Sequence, residues 1–338
     1  DRIAHEVGIQ PDSEFRIRAG IVYCLKQAAA NNGHTYLPKE HLFDMVFKLL
    51  GLSKEENKIL LEGVIELMEI SGVIVVLQNK NSSIIMFNRY YLLERKISQK
   101  LISLNNSQTE LHTDVRADIS EFEELNGLKM HENQVKAIEN AVRYGVNVIT
   151  GGPGTGKTTI IKCILHIFRK LNLNTQLCAP TGRASKRLAE ASGEPAKTIH
   201  RLLDLNFKGG KGYFTYSENT TLEADVVIVD EVSMCDEYVF SALLGAIKKG
   251  GRLIVVGDKD QLPSVGAGNI LGDIIAFNKL PISYLTYIYR QDHHSMIVEN
   301  AHRINNGEMP IIRNSDSDFL YSNIEGQDKI AQVVVDMV

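Results

Sequence analysis

The sequence predicts an α/β fold, a parallel β-sheet with crossover helices that follows a separate, mostly helical module. Three observations predict it. From Val146 onward, short β-branched or apolar runs at 147–150, 175–179, 226–229, 253–257 and 282–285 alternate with helix-like segments. That rhythm builds parallel sheets with helical crossovers. Residues 1–106 lack it and instead carry apolar residues at helical spacing. Between the first predicted strand and the next helix lies a glycine-rich turn, residues 151–158.

In the N-terminal module, helices are expected over 13–30, 41–50 and 55–70, with Gly33 stopping the first. The period then changes to β at 72–77 and 83–87, and Gln78-Asn79-Lys80-Asn81-Ser82 between them has turn chemistry. Helices followed by a hairpin suggest a winged-helix-like module. Such modules bind DNA or dock other domains, and both readings stay open. Residues 107–125 hold six acids against one base, Arg116, which reads as a solvated linker or helix face.

The 338 residues allow about two domains. A net charge of −4 excludes a globally basic nucleic-acid binder, so any basic surface has to be local. Cys24, Cys163, Cys178 and Cys235 form no C-x-x-C pair and read as buried free thiols of a reducing compartment. No run approaches the roughly 18 apolar residues that span a bilayer. A cytoplasmic protein with no membrane partner is expected. The chain starts at Asp1 without Met and closes on a periodic apolar run, 330–338, so both ends read as cut from something longer.

Residues 151–158 read Gly-Gly-Pro-Gly-Thr-Gly-Lys-Thr, a complete G-x-x-x-x-G-K-[ST] pattern between a strand-like and a helix-like run. Its glycines let the backbone curl so that N–H groups converge on phosphate oxygens. The helix that starts there adds its dipole. Lys157 would neutralise the β- and γ-phosphates, and the Thr158 hydroxyl would hold Mg²⁺. Gly152, Pro153, Gly154, Thr155, Gly156 and Thr159 complete the predicted cradle. The loop implies a nucleoside triphosphate without saying what its energy does.

Val226-Val227-Ile228-Val229 reads as a buried parallel strand and ends in Asp230-Glu231. Acids at the carboxyl end of such a strand face the ligand crevice. Asp230 is expected to hold Mg²⁺ through water, and Glu231 to act as general base toward the attacking water. The strand at 253–257 runs into Asp258-Lys259-Asp260-Gln261, where Gln261 is suited to sense the γ-phosphate.

With these residues in view, the chain resembles superfamily-one DNA helicases, closest to their RecD-like branch, related to the exonuclease V alpha subunit. Asp230-Glu231-Val232-Ser233-Met234 is similar to one motif of that branch. Gly257-Asp258-x-x-Gln261-Leu262-Pro263-Ser264-Val265 is similar to another. His131-Glu132-Asn133-Gln134 resembles its adenine-reading motif, and Tyr289-Arg290-Gln291 its arginine-finger motif. Residues 179–184 and 198–203 resemble its two single-strand-contacting motifs. The likeness covers 128–310, and residues 1–37 resemble the module that precedes the motor in the stand-alone bacterial form.

The resemblance implies two RecA-like lobes, the first over 107–280 and a second that begins at 281 and is truncated at 338. It implies that Gln134 hydrogen-bonds adenine, that Tyr289 stacks on the base, and that Arg290 stabilises the transferring phosphoryl group. Lys157, Asp230, Glu231, Gln261 and Arg290 would form the catalytic set. Thr181, Gly182, Arg183, Thr198 and His200 would contact DNA phosphates, with Pro263 and Val265 against bases. Local charge agrees, since residues 181–211 carry seven Lys/Arg against three acids. A strand-separating β-hairpin is expected over 206–218.

Asp292-His293-His294, with Glu299 and His302, is read as a helix-surface cluster and not as a metal site. The last two motifs of the family fall outside the chain. The expectation is therefore a fragment that binds ATP and Mg²⁺, hydrolyses slowly and does not unwind duplexes. The whole motor would be a cytoplasmic bacterial monomer that acts on single-stranded DNA and duplex junctions and moves 5′ to 3′. An RNA helicase of the same superfamily and a non-helicase P-loop ATPase remain as alternatives.

Overall fold

The structure, a computed structural model, describes residues 6, 8–10, 12–79, 82–287, 295–312 and 318–336. It divides into two units, Asp1–Tyr287 and Ile288–Val338. In the first, helix α1 (Glu14–Asn32) ends at Gly33, whose φ of 68° lets its N–H cap Ala28 O. Strand β1 (Tyr36–Pro38), helices α2 (Lys39–Leu50) and α3 (Lys54–Ile70), and strands β2 (Ile74–Asn79) and β3 (Ser82–Phe87) follow. The strands form an antiparallel sheet in the order β1-β3-β2. Ile17, Ile21, Phe43, Leu61 and Met68 fill the core between helices and sheet. Helix, strand, two helices and a hairpin is a winged-helix order.

This module is not a separate body. Helix α4 (Asn88–Asn106) sends Ile97, Leu101 and Leu104 into the core of the larger sheet. The N–H of Gly268 donates to Gly33 O at 2.9 Å. A boundary at 106 would therefore cut through packed apolar surface. The segment read as a solvated linker contains helix α5 (Val115–Asn126), capped by Asp114 and packed through Ile119 and Phe122. Three of its acids form ion pairs, Asp118 and Glu121 with Lys170, and Glu123 with Lys129.

The central sheet is fully parallel. Its strands are β4 (Val146–Gly151), β5 (Thr175–Ala179), β6 (Ala196–Thr198), β9 (Val226–Val229), β10 (Arg252–Gly257) and β11 (Ile282–Leu285). Their order is β11-β4-β10-β9-β5-β6. Around them lie α6 (Glu132–Arg143), α7 (Lys157–Lys170), α8 (Gly182–Ser192), α9 (Ile199–Leu202), α10 (Glu237–Ala246) and α11 (Ile270–Phe277). Central strands β4, β9 and β10 are buried nearly throughout, as their apolar runs require.

Two features differ from expectation. Strand β6 is a three-residue strand with a single β-branched residue, so periodicity does not announce it. Strand β11, expected to open a second lobe at 281, instead pairs with β4, with Ile282 opposite Val148 and Leu285 opposite Gly151. The first compact unit therefore runs on to Tyr287.

Strands β7 (Leu205–Lys208) and β8 (Lys211–Phe214) form a hairpin, shorter than the expected 206–218. Gly209 and Gly210 have φ of 59° and 77°, a two-residue turn with both central residues left-handed. Phe207 is 73% exposed beside that turn. All four cysteines are buried free thiols.

The second unit contributes α12 (Met296–Asn305) and α13 (Gln327–Asp336). The Asp318 carboxylate caps α12 by accepting from Met296 N at 2.7 Å. No residue of α13 is buried. Tyr289, Arg290 and Gln291, and the Asp292-His293-His294 cluster, lie outside the described residues.

Candidate active site

Because the sheet is parallel, the carboxyl ends of its strands share one edge. The loop 151–156, Asp230-Glu231 and the segment after Gly257 leave that edge from β4, β9 and β10, which are neighbours. Thr181 and Thr198 leave it from β5 and β6. Such an edge is where open α/β sheets bind ligands.

Gly154 and Gly156 sit at φ of 77° and 82°, which curls the loop into the start of α7. The Thr155 hydroxyl donates to Gly152 O at 2.8 Å and tightens the turn. Lys157 Nζ donates to Gly151 O, and to Gly152 O at 3.0 Å. Its ammonium therefore rests on the loop's own carbonyls. Thr158 and Thr159 follow in the first turn of α7.

Gly151 is required by packing rather than by φ. A Cβ there would lie 2.7 Å from Leu285 Cβ and 2.8 Å from Leu285 O, whereas one on Gly152 would meet open space. Gly151→Ala is expected to force β11 away from β4 and cost about 1–3 kcal/mol, and Gly152→Ala to leave stability nearly unchanged. Denaturant midpoints of the two variants check this.

Gln134 is 4% exposed and lies under the loop. Its Oε1 accepts from His131 N at 3.2 Å, closing a capping box, and its Nε2 donates to Thr155 O at 3.0 Å. The amide expected to meet adenine thus has two partners within the chain and braces the phosphate loop against α6. Gln134→Ala would remove the bonds it makes to His131 N and to Thr155 O. We expect a loss of about 2 kcal/mol in unfolding free energy, together with weaker nucleotide binding by calorimetry.

The same helix end meets the far edge of the sheet. The His131 ring stacks on Tyr287 with centroids 4.9 Å apart and planes 10° apart. Asn133 Nδ2 donates to Thr286 Oγ1 at 3.4 Å and Asn140 Nδ2 to Ser283 Oγ at 3.1 Å. Sequence reasoning singled out Tyr289 and missed Tyr287. Only the pairing of β11 with β4 brings Tyr287 to His131.

Glu231 has a left-handed φ of 53°, and its N–H donates to Asp230 Oδ1 at 2.9 Å. Its Oε2 is buried without a hydrogen-bond partner. Burial, and then the Glu231 charge, push Asp230 up to about 6. Two crowded carboxylates, one with an orphaned oxygen, at the sheet edge where the Thr158 helix starts form a hard oxygen donor set suited to a divalent cation. Ser233 Oγ donates to Gln261 Oε1 at 3.5 Å, and Lys259 N to Thr150 Oγ1 at 3.2 Å. These bonds tie the segment after β10 to both neighbouring strands. Ser233 and Thr150 were not singled out from sequence, where nothing marks them.

Thr181 and Thr198 are N-caps that accept from Ala184 N and Arg201 N, each at 3.2 Å. Each hydroxyl accepts there and keeps its own O–H to donate. Gly182 and Arg183 are exposed at the start of α8. The His200 ring lies 5.9 Å from that of Phe214, at the hairpin base. Gln261 and Pro263 are exposed, and Val265 is 94% exposed. Arg290 and Tyr289 cannot be placed in this geometry, because both lie outside the described residues.

Residues 134–267 match a family model described as an AAA domain. Residues 1–36 match one described as the ATP-dependent RecD2 DNA helicase HHH domain. Over 324 residues the chain is 31% identical to the ATP-dependent RecD2 DNA helicase of Deinococcus radiodurans, covering 92% of this chain and 43% of that protein. Over 175 residues it is 36% identical to the RecBCD enzyme subunit RecD of Haemophilus influenzae, covering 45% of this chain and 27% of that one. Among solved structures, the Pif1 helicase of Candida albicans aligns with a TM-score of 0.41 at 22% identity, over 54% of this chain and 45% of that chain. The chain thus spans less than half the length of these curated relatives. A RecD2-specific model at the N-terminus, an AAA-domain model over residues 134–267 and 31% identity along nine-tenths of the chain make it RecD-like.

Proposed function

We propose that the chain carries the ATP-hydrolysing part of a DNA helicase that moves 5′ to 3′ along single-stranded DNA and opens duplex junctions. One observation carries this reading. The phosphate loop, the acidic pair, Gln261 and the two helix starts at Thr181 and Thr198 all leave one sheet edge, so a nucleotide and a strand can be served by the same crevice.

In this reading Lys157 leaves the Gly151 and Gly152 carbonyls to meet the β- and γ-phosphates. Glu231 takes a proton from the attacking water through its unpaired Oε2. Thr158 and Asp230 would hold Mg²⁺, which supplies charge neutralisation at the phosphates. Gln261 loses or gains its γ-phosphate contact on hydrolysis and passes the change to the exposed Pro263 and Val265. Arg290 supplies positive charge to the transferring group. The Phe207 hairpin acts as the separating pin, and Arg183 and His200 contact phosphates.

The N-terminal module serves docking better than DNA reading. Helix α3, at the recognition-helix position of a winged helix, carries Glu55, Glu56, Glu62, Glu66 and Glu69 against Lys54 and Lys58. That charge repels phosphates.

The test is ATP turnover with oligo-dT and with oligo-U. Stimulation by oligo-dT is expected. Stimulation by oligo-U alone selects the RNA helicase reading, and no response to either polymer selects a non-helicase ATPase. Binding of the Mg²⁺–nucleotide should weaken as pH falls from 7.5 to 5.5, because Asp230 takes up a proton near 6 and a protonated carboxyl holds no cation. Titration of a fluorescent ATP analogue at the two pH values measures it.

A further inference from the structure

Away from the crevice, Glu94 of α4, Glu237 in the first turn of α10 and Asp273 of α11 line one cavity of about 430 Å³. Leu101, Ile274 and Phe277 form much of the remaining wall. The acids descend from rim to floor, with Asp273 exposed, Glu94 half-buried and Glu237 1% exposed. Neither oxygen of Glu237 accepts from an N–H or hydroxyl donor, and its side-chain neighbour is the Glu94 carboxyl, with which it can share a proton. Thr35 Oγ1 donates to Glu94 Oε1 at 3.1 Å. Among the described residues, no lysine, arginine or histidine forms an ion pair with any of the three.

A buried carboxylate without donors or a counter-charge is strongly unfavourable. It is relieved by a proton or by a cation. Among the described residues no group of three His, Cys, Asp or Glu is arranged to hold a metal ion. The volume and the apolar wall suit a larger guest.

We propose that this cavity binds an organic cation, an alkylammonium or guanidinium group on an apolar stem, with Glu237 and Asp273 as its counter-charges. The stem lies along Leu101, Ile274 and Phe277, and the charged end reaches Glu237. Two sources present that chemistry, a free aliphatic amine and a lysine or arginine side chain of another polypeptide.

The occupant would join three parts of the unit. Glu237 N donates to Ala267 O at 3.1 Å, and the Glu237 side chain packs against Gly268, leaving no room for a Cβ there. Gly268 in turn bonds Gly33 of the N-terminal module. The loop that carries Gln261 is thus clamped beside the cavity. This inference does not depend on the helicase reading.

The charges facing Glu237 are Glu94 from α4, Asp273 from α11 and Asp236 from its own helix, and the Tyr36 phenol of β1 lines the same cavity. Burial first, then Glu94 and Asp273, push Glu237 up to about 8. Burial also raises Glu94. The empty cavity therefore keeps a proton at neutral pH that a bound cation displaces. Because the folded value lies above the unfolded one, stability from this group is lost as pH rises through about 8.

The test is the thermal midpoint of the protein at pH 8.5 with 1,4-diaminobutane or with Nα-acetyl-arginine methylamide, at matched ionic strength. At least one probe is expected to raise the midpoint by about 3 °C near saturation, and by less at pH 6.5. Glu237→Gln and Asp273→Asn should each abolish the rise. Asp273, on the exposed rim, offers a variant whose folding is not at issue. A shift with the arginine probe alone assigns the occupant a guanidinium end, and one with the diamine alone an alkylammonium end. No shift with either probe, or a shift that survives both substitutions, overturns the proposal and leaves a proton shared by Glu94 and Glu237 as the explanation.

Discussion

Glu231→Gln should leave nucleotide binding intact and slow hydrolysis by about 10²–10⁴-fold, the usual contribution of a general base. The substitution keeps the side-chain volume and the left-handed backbone, so the fold has no reason to change. It removes the carboxylate whose Oε2 is buried without a partner. It also removes one of the charges that raise Asp230. A second signature follows. The acid limb of Mg²⁺–nucleotide binding should move to lower pH in the variant, because Asp230 then ionises more easily. Single-turnover hydrolysis and nucleotide titrations across pH measure both. Turnover equal to the parent protein would remove Glu231 from the role of base, while an unmoved acid limb would mean that Asp230 does not control cation binding.

Lys157→Ala should abolish measurable turnover, with a loss of about 10²–10³-fold or more from the missing transition-state charge alone. Nucleotide affinity should also fall, because a hydrogen bond to a charged group is worth about 1.5–3 kcal/mol. The resting position of Lys157 adds a further consequence. Its ammonium satisfies Gly151 O and Gly152 O, so the alanine variant leaves a loop with converging carbonyls and no cation. Loosening of the loop should appear as faster hydrogen exchange at Gly152–Thr155. Exchange as slow as in the parent protein would show that the loop is held by Thr155 and Gln134 and not by Lys157.

Much of the fold was legible in the chain because the signals are local. Strands β5, β9 and β11 occupy the predicted limits, since β-branched runs bounded by turns need no distant partner to be seen. The phosphate loop is likewise a local pattern of glycines that need positive φ, a lysine and a helix start. What failed was non-local. Strand β11 was identified as a strand and assigned to a different lobe, because its sequence does not encode which neighbour it pairs with. The 107–125 segment has a linker's acidity, but Lys170 and Lys129, from outside it, pair with Asp118, Glu121 and Glu123. Strand β6 is too short for any period to show.

The sequence by itself determined the residue chemistry of the site. Lys157 and Thr158 can be named from their place at a helix start, and Asp230, Glu231 and Gln261 from theirs after a strand end. Their types follow from what a phosphate, a cation and a water require. The tertiary structure alone decided the partners. It gave Gln134, expected to meet adenine, a bond to Thr155 O, set Tyr287 against His131, and made Gly151 indispensable because Leu285 of β11 crosses it. It also left Glu237 buried among acids with no counter-charge. The physical reason is the same in each case. A side chain's chemistry is intrinsic, but its burial and hydrogen-bond partners are set by segments distant in sequence that meet only when the sheet forms.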